Sequence, residues 1–439
     1  MRNITTSVFW GTLAAIVAGF LLLHLPADHP ALLFGNVFLC GSALYVLMAA
    51  LLPRIALSAK VVFGIVAVSI LLRLSFISTN PIGSEDAYRY IWDGKVQANG
   101  INPYLYTAVD PRLDSLHSPL LPAAMNHADL KTIYFPLSQW MFYCCYRLSG
   151  ESLWSYKLIY LAAEALTIFG LLLLLSRSKI DRKYILLYAL CPLPILEFAI
   201  DAHLDAVGLP LFVFALFFYR SEQKIVSYIL LGLSLSIKPV GLIALPALFF
   251  FTKGWRNRLS AASIPVLVVG TQFLPYLFGS NPFETLFSFT KNWSFNGPVF
   301  ELLYSFINNN QTARMYCAGL LAVVMIVLIL RGGGLFDTIY FSLLFLILFS
   351  PVVHPWYVCW IAVLLPLLRR WSGIVLTASV SLTSFTVMKY RLTGMWEQYP
   401  IVILIEYLPV LVLVAMELQD YFAKRLGDEE QGIRRKFSQ

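Results

Sequence analysis

Residues 153–200 read LWSYKLIYLAAEALTIFGLLLLLSRSKIDRKYILLYALCPLPILEFAI. Two apolar runs flank four cations, Arg177, Lys179, Arg182 and Lys183. A helix rising 1.5 Å per residue needs about 20 mainly apolar residues to cross the hydrocarbon core of a bilayer. Each run comes close to that length, so the stretch predicts two membrane helices joined by a basic turn. Excess Lys and Arg in a short connection mark its cytoplasmic side.

The same pattern recurs along the whole chain. Of 439 residues, 59% are hydrophobic and 13% charged, and mean hydropathy is +0.73; soluble domains carry about 25% charged residues. Water-soluble classes are excluded, and residues 1–439 read as a single transmembrane domain. Further spans are predicted near 8–25, 31–52, 60–77, 204–219, 225–252, 259–278, 313–330, 335–350, 355–369, 373–389 and 401–418. The run 225–252 is interrupted by Lys238-Pro239. The expected fold is an all-α polytopic bundle of about 12–14 membrane helices. The first run lacks a small-residue cleavage site after it and is read as a retained helix.

The formal net charge of +8 sits mainly in clusters between apolar runs, which argues against a nucleic-acid partner. Basic clusters at Arg54 and Lys60, Arg177 to Lys183, Arg220 and Lys224, Lys253 to Arg258, and Arg369 and Arg370 fall on one side. Both termini join them, including a cytoplasmic basic tail, 419–439. The opposite face receives a first loop, 78–152, a second segment, 279–312, and short turns at 201–205, 352–355 and 389–400. Phe135 to Leu148 is apolar and aromatic, yet crossing there would put the Arg177 to Lys183 cluster outside; an interfacial helix is expected instead. The six cysteines lie mostly in apolar runs without zinc-type spacing and read as packing residues.

All six histidines map to the non-cytoplasmic side or its edge. The first loop carries SEDAYRYIWDGKVQANGINPY over 84–104. On a helix starting at Ser84, Asp86, Tyr90 and Asp93 share a face. Glu85 and Asp86 stand just beyond the third span, among Tyr88, Tyr90 and Trp92, placed to meet a lipid headgroup and a hydroxylated partner. The plainer reading of the acidic pair is charge complementing a helix dipole.

In these residues the chain resembles the GT-C superfamily of glycosyltransferases that use lipid-phosphate sugars. It is similar to polyprenol-phosphate-mannose-dependent mannosyltransferases of phosphatidylinositol mannoside assembly, and more faintly to the first mannosyltransferase of GPI-anchor synthesis. Ile133 to Leu137 (IYFPL), Lys291 to Asn296 (KNWSFN) and Ser350 to Tyr357 (SPVVHPWY) also fit. The likeness runs from about residue 60 onward.

The resemblance implies inverting transfer of a sugar, mannose in those families, from a polyprenyl-phosphate donor to a lipid or glycan acceptor. It places the reaction on the non-cytoplasmic face of the cell's inner (plasma) membrane and implies no cofactor. By position Asp86 matches the general base, with Glu85 its competitor. Tyr88, Arg89, Trp92 and Asp93 become candidates for orienting the substrate. Lys238, at a break inside an apolar run, is the candidate for the leaving phosphate, since a cation at membrane depth is functional by default; the alternative is a lysine snorkelling from the outer end of a short span. Arg73 could serve the phosphate or pair with an acid, Glu164 being the obvious one. His354 is the second catalytic candidate, and Trp293, Asn296, Trp356 and Tyr357 are candidates for the site wall. Asp201, His203 and Asp205 alternate in a way that suits a strand better than a helical turn, so hydrogen bonding is expected there and no metal. A transporter or flippase is the rival reading, but it should show a broken helix in each of two halves, and one clear interruption is found.

Overall fold

The computed structural model describes residues 2–331 and 333–437, with side chains described over 4–331 and 333–422. The basic side chains Lys424, Arg425, Arg434, Arg435 and Lys436 of the tail lie outside the described residues, as do residues 438–439. Among the described residues there is no strand; the β-pairing consists of isolated bridges from Phe295 and Asn296 to Val352. The molecule is an all-α bundle.

Helices α1 (Arg2–Leu21), α2 (Pro30–Leu51) and α3 (Ala59–Ser75) open the chain. Pro30 starts α2 at a position where its missing N–H is not needed, and the side chain of Ser58 caps α3 by accepting from Val61 N. Next come α4 (Asp86–Ala98) and α5 (Pro136–Ser149), then α6 (Trp154–Arg177). The chain continues through a 3₁₀ turn into α7 (Leu186–Ala189), then α8 (Pro192–Pro194) with a π-helical turn, Ile195–Ile200. Helices α9 (Asp205–Arg220) and α10 (Lys224–Ile237) form an antiparallel pair, and α9 also packs on α6.

Lys238 is extended, as a residue before proline should be, and the interrupted run resumes through a 3₁₀ turn as α11 (Ala244–Phe251). The remainder is α12 (Trp255–Phe273), α13 (Glu284–Asn292), α14 (Pro298–Ile307), α15 (Asn310–Arg331), α16 (Leu335–Phe349), α17 (Pro355–Ala362), α18 (Leu365–Leu368), α19 (Trp371–Ser379), α20 (Ser384–Thr393) and α21 (Pro400–Phe437).

Seven helices among the described residues are long and apolar enough for a complete crossing: Ile4–His24, Pro30–Arg54, Trp154–Arg177, Trp255–Tyr276, Asn310–Arg331, Trp371–Thr393 and Pro400–Phe422. A bent pair, Arg182–Ala189 with Pro192–Ile200, raises this to eight. The other expected spans exist as shorter helices: α9 has 16 residues and α16 has 15, or roughly 24 and 22 Å of rise. Prolines and polar breaks such as Lys238-Pro239 explain why sequence hydropathy suggests more full crossings than the helices make. The chain is an integral membrane protein.

Two ends of the bundle are tied by side chains. At one, Lys183 donates to Pro53 O and Ile55 O, Arg369 lies over the Tyr184 ring at 4.9 Å, and Arg370 meets Asp337 at 2.5 Å. The basic turns near 54, 183 and 369 therefore converge. The connections at 78–86, 201–205 and 352–355 converge on the candidate site described below.

Within the first loop, α4 and α5 pack so closely that a Cβ on Gly94 would stand 2.4 Å from Phe142 O. Because the obstruction is backbone, Gly94→Ala is expected to force the pair apart and cost about 1–3 kcal/mol, read as a lower unfolding temperature in detergent. Helix α5 buries Gln139, Phe142 and Cys145 while exposing Trp140 and Tyr143. Its 14 residues rise about 21 Å, too short for a crossing, before Gly150 ends it at φ 59°.

Candidate active site

The site is built where the π-helical turn meets the start of α4 and the start of α17. Asp201 N bonds to Leu196 O and His203 N to Glu197 O. These wide turns, with Ala202 in the left-handed region at φ 60°, gather Glu197, Asp201 and His203, whose ligand atoms lie within 4.8 Å of one another. A left-handed non-glycine residue costs of order 1–3 kcal/mol, and such conformations and π turns cluster at functional sites.

Asp86 begins α4 in front of this group. Its Oδ2 is 3.9 Å from His203 Nδ1 and its Oδ1 accepts from Asn126 Nδ2 at 3.0 Å. The Asp86 side chain remains 22% exposed, whereas His203 is fully buried. Desolvation raises the Asp86 carboxyl above its ordinary range, opposed by the Asn126 hydrogen bond and by the charges of Lys238, Arg89 and His127. Desolvation, with Lys238 and His354 nearby, pushes His203 well below its usual value and keeps it neutral.

Lys238 reaches the cluster from the break after α10. Its Nζ donates to Asp205 Oδ2 at 2.8 Å and lies 3.9 Å from the centre of the Tyr357 ring. Asp205 is buried and also accepts from Trp360 Nε1 at 2.8 Å. Trp356 is sandwiched between two imidazoles, His203 at 3.7 Å and His354 at 4.3 Å. Burial and the Lys238 charge lower His354 to about 3. It is a neutral hydrogen-bonding group and not a cation. The result is two layers: Asp86, Lys238, His354, Trp356 and Tyr357 are half-buried, and Glu197, Asp201, His203 and Asp205 stand buried behind them.

Several candidates lie elsewhere. Glu85 turns away to pair with Arg391 at 2.6 Å, and Tyr88 sits half-buried within the field of both. Arg89 is buried, donating to His127 O and Leu130 O and so holding the loop beneath α4. Trp92 is buried against His117. Asp93, though one helical face with Asp86 was expected, is locked between α4 and α5 by Thr132 at 2.5 Å and Gln139 at 2.9 Å. Trp293 packs on His127 and Phe289. Asn296 is 3% exposed and gives its amide nitrogen to Glu406 and Tyr407. The polar side-chain atoms of Arg89, Asp93 and Asn296 are thus engaged within the protein itself.

Arg73 is buried and pairs with Glu164 at 3.1 Å, the acid with which pairing was the alternative to a phosphate contact. The alternating triplet divides, Asp205 going to Lys238 while Asp201 and His203 join Glu197. Glu197 is absent from the sequence-derived set, although one acid inside CPLPILEFAI is costly at membrane depth and is the signal that identifies it.

Comparison with known proteins adds one match. The profile of the MptA_B family, described as alpha-(1->6)-mannopyranosyltransferase, N-terminal domain, matches residues 6–253. This is more than half of the chain and includes Asp86, Glu197, His203 and Lys238. No curated protein and no solved structure matches.

Proposed function

Because the chain belongs to the MptA_B family of alpha-(1->6)-mannopyranosyltransferases, we propose that it moves mannose from a polyprenyl-phosphate donor to an acceptor hydroxyl by inverting transfer. The observation that carries this reading is Asp86, a partly exposed carboxylate beside Lys238 in a cluster otherwise closed by aromatic rings. The acceptor oxygen attacks the anomeric carbon and its proton passes to Asp86, while the bond to the lipid phosphate breaks and its electron pair leaves with the phosphate. A positioned carboxylate suffices as base. Positive charge is needed where the leaving phosphate develops its own.

Lys238 supplies that charge. An ammonium has three donors, and one is given to Asp205. His354 contributes a neutral N–H or lone pair, and Trp356 and Tyr357 offer faces to the sugar ring. Lys238→Gln is expected to weaken donor binding by about 10- to 100-fold, the equivalent of one charge-assisted hydrogen bond of roughly 1.5–3 kcal/mol. Equilibrium binding of a short-chain polyprenyl-phosphate mannose measures it, and unchanged affinity would remove the phosphate assignment. The defining assay incubates purified protein with that donor and a lipid or glycan acceptor and follows release of the lipid phosphate. Absence of release with every acceptor class overturns the reading.

The reaction is assigned to the non-cytoplasmic face of the inner membrane, with both termini cytoplasmic. Support comes from the basic turns meeting at one end of the bundle and the Asp86 cluster at the other. Cysteine introduced at exposed Ser115, with exposed Cys40 and Cys144 replaced, should label from outside intact cells. Labelling from the cytoplasm alone reverses the topology.

A further inference from the structure

The buried layer behind Asp86 has a chemistry that the transfer reaction does not use. Glu197, Asp201 and His203 are all buried, with one ligand atom from each within 4.8 Å of the others. Glu197 Oε2 and His203 Nε2 are 3.3 Å apart, yet among the described residues neither ring nitrogen of His203 has a hydrogen-bond partner. An unpartnered buried imidazole is costly. Two ligands each about 2.0–2.2 Å from one ion at near-tetrahedral or right angles stand roughly 3.0–3.5 Å apart, which is the spacing between Glu197 and His203.

Charge points the same way. Among the described residues no lysine or arginine lies within ion-pair distance of Glu197 or Asp201, since Lys238 pairs with Asp205 and Arg391 with Glu85. Asp201 is preset: its Oδ1 accepts from Ile82 N at 2.7 Å and Gly83 N at 2.9 Å, leaving Oδ2 free to ligate. A Cβ on Gly83 would stand 2.5 Å from that Oδ2, so glycine keeps the space open.

We propose that Glu197, Asp201 and His203 bind one divalent transition-metal ion, Mn²⁺ or Zn²⁺. One imidazole and two carboxylates suit these ions better than the all-oxygen sites of Mg²⁺ or Ca²⁺. The two carboxylates also neutralise the ion in a buried place. With Nε2 on the metal, Nδ1 faces Asp86 Oδ2 at 3.9 Å; a carboxylate beyond the ligating histidine is the usual orienting partner. The ion thus braces the wall behind the proposed base. The site stands on its own geometry and does not depend on the sugar donor.

The test uses full-length protein purified through a histidine-free tag. Elemental analysis should find about one Mn or Zn per chain, falling more than tenfold in Glu197→Gln. Chelation should lower the unfolding temperature of the wild type, and Mn²⁺ or Zn²⁺ should restore it saturably, a readout that survives even if Glu197→Gln fails to fold. A chain without metal, with an unfolding temperature indifferent to chelator and to both ions, overturns the site. Mannosyl transfer measured in parallel keeps the two readings apart: transfer by ion-free protein that ignores both ions removes the metal alone, and bound ion without transfer removes the donor assignment alone.

Discussion

Asp86→Asn is expected to lower turnover by about 10²- to 10⁴-fold, the usual contribution of a positioned general base. The amide keeps the shape and keeps an oxygen to accept from Asn126, so folding and donor binding should persist. Glu85→Gln, in the same assay, should cost a few-fold at most. Its partner Arg391 is part-exposed and such pairs contribute about 0.2–1 kcal/mol. Full turnover in Asp86→Asn would place the base elsewhere; loss in Glu85→Gln alone would move it by one residue. The pH profile supplies an independent measure. Since burial raises the Asp86 carboxyl, the acidic limb of kcat/KM should lie above the range of an ordinary aspartate. Lys238 stabilises the ionised form, so in Lys238→Gln that limb should move further toward high pH.

Arg73→Leu should destabilise the bundle by about 3–5 kcal/mol, the cost of leaving one partner of a buried ion pair alone. Arg73 and Glu164 are each about 1–2% exposed. Arg73 also donates to Ser69 O and Ala189 O, and Tyr188 donates to Glu164, so the pair joins α3, α6 and α7. Removing the cation leaves a buried carboxylate with one hydroxyl for compensation. The double variant Arg73→Leu with Glu164→Leu should recover much of the loss, because paired removal leaves no uncompensated charge. Unfolding temperatures of wild type, Arg73→Leu, Glu164→Leu and the double variant in one detergent decide this, and equal temperatures for wild type and Arg73→Leu would show that the pair carries no stability.

The sequence by itself determined the membrane class, the positions of most long apolar helices and the break at Lys238-Pro239. These follow from local quantities: the transfer cost of a contiguous run, proline's missing donor, and charge next to an apolar segment. Even the short amphipathic helix at 136–149 is written in its length and flanking charges. Only the tertiary structure decided which polar groups meet. Glu85 and Asp86 are adjacent in sequence, yet one pairs with Arg391 and the other faces His203. Asp93 has the right helical spacing but is enclosed by Thr132 and Gln139. Arg73 is answered by an acid 91 residues away. A carboxylate's role depends on what desolvates it and which donor reaches it, and those partners come from segments whose approach no local period encodes. The π turn shows the same division: its lone acid is visible in the sequence, but only the wide turn and left-handed Ala202 bring Glu197 to Asp201 and His203.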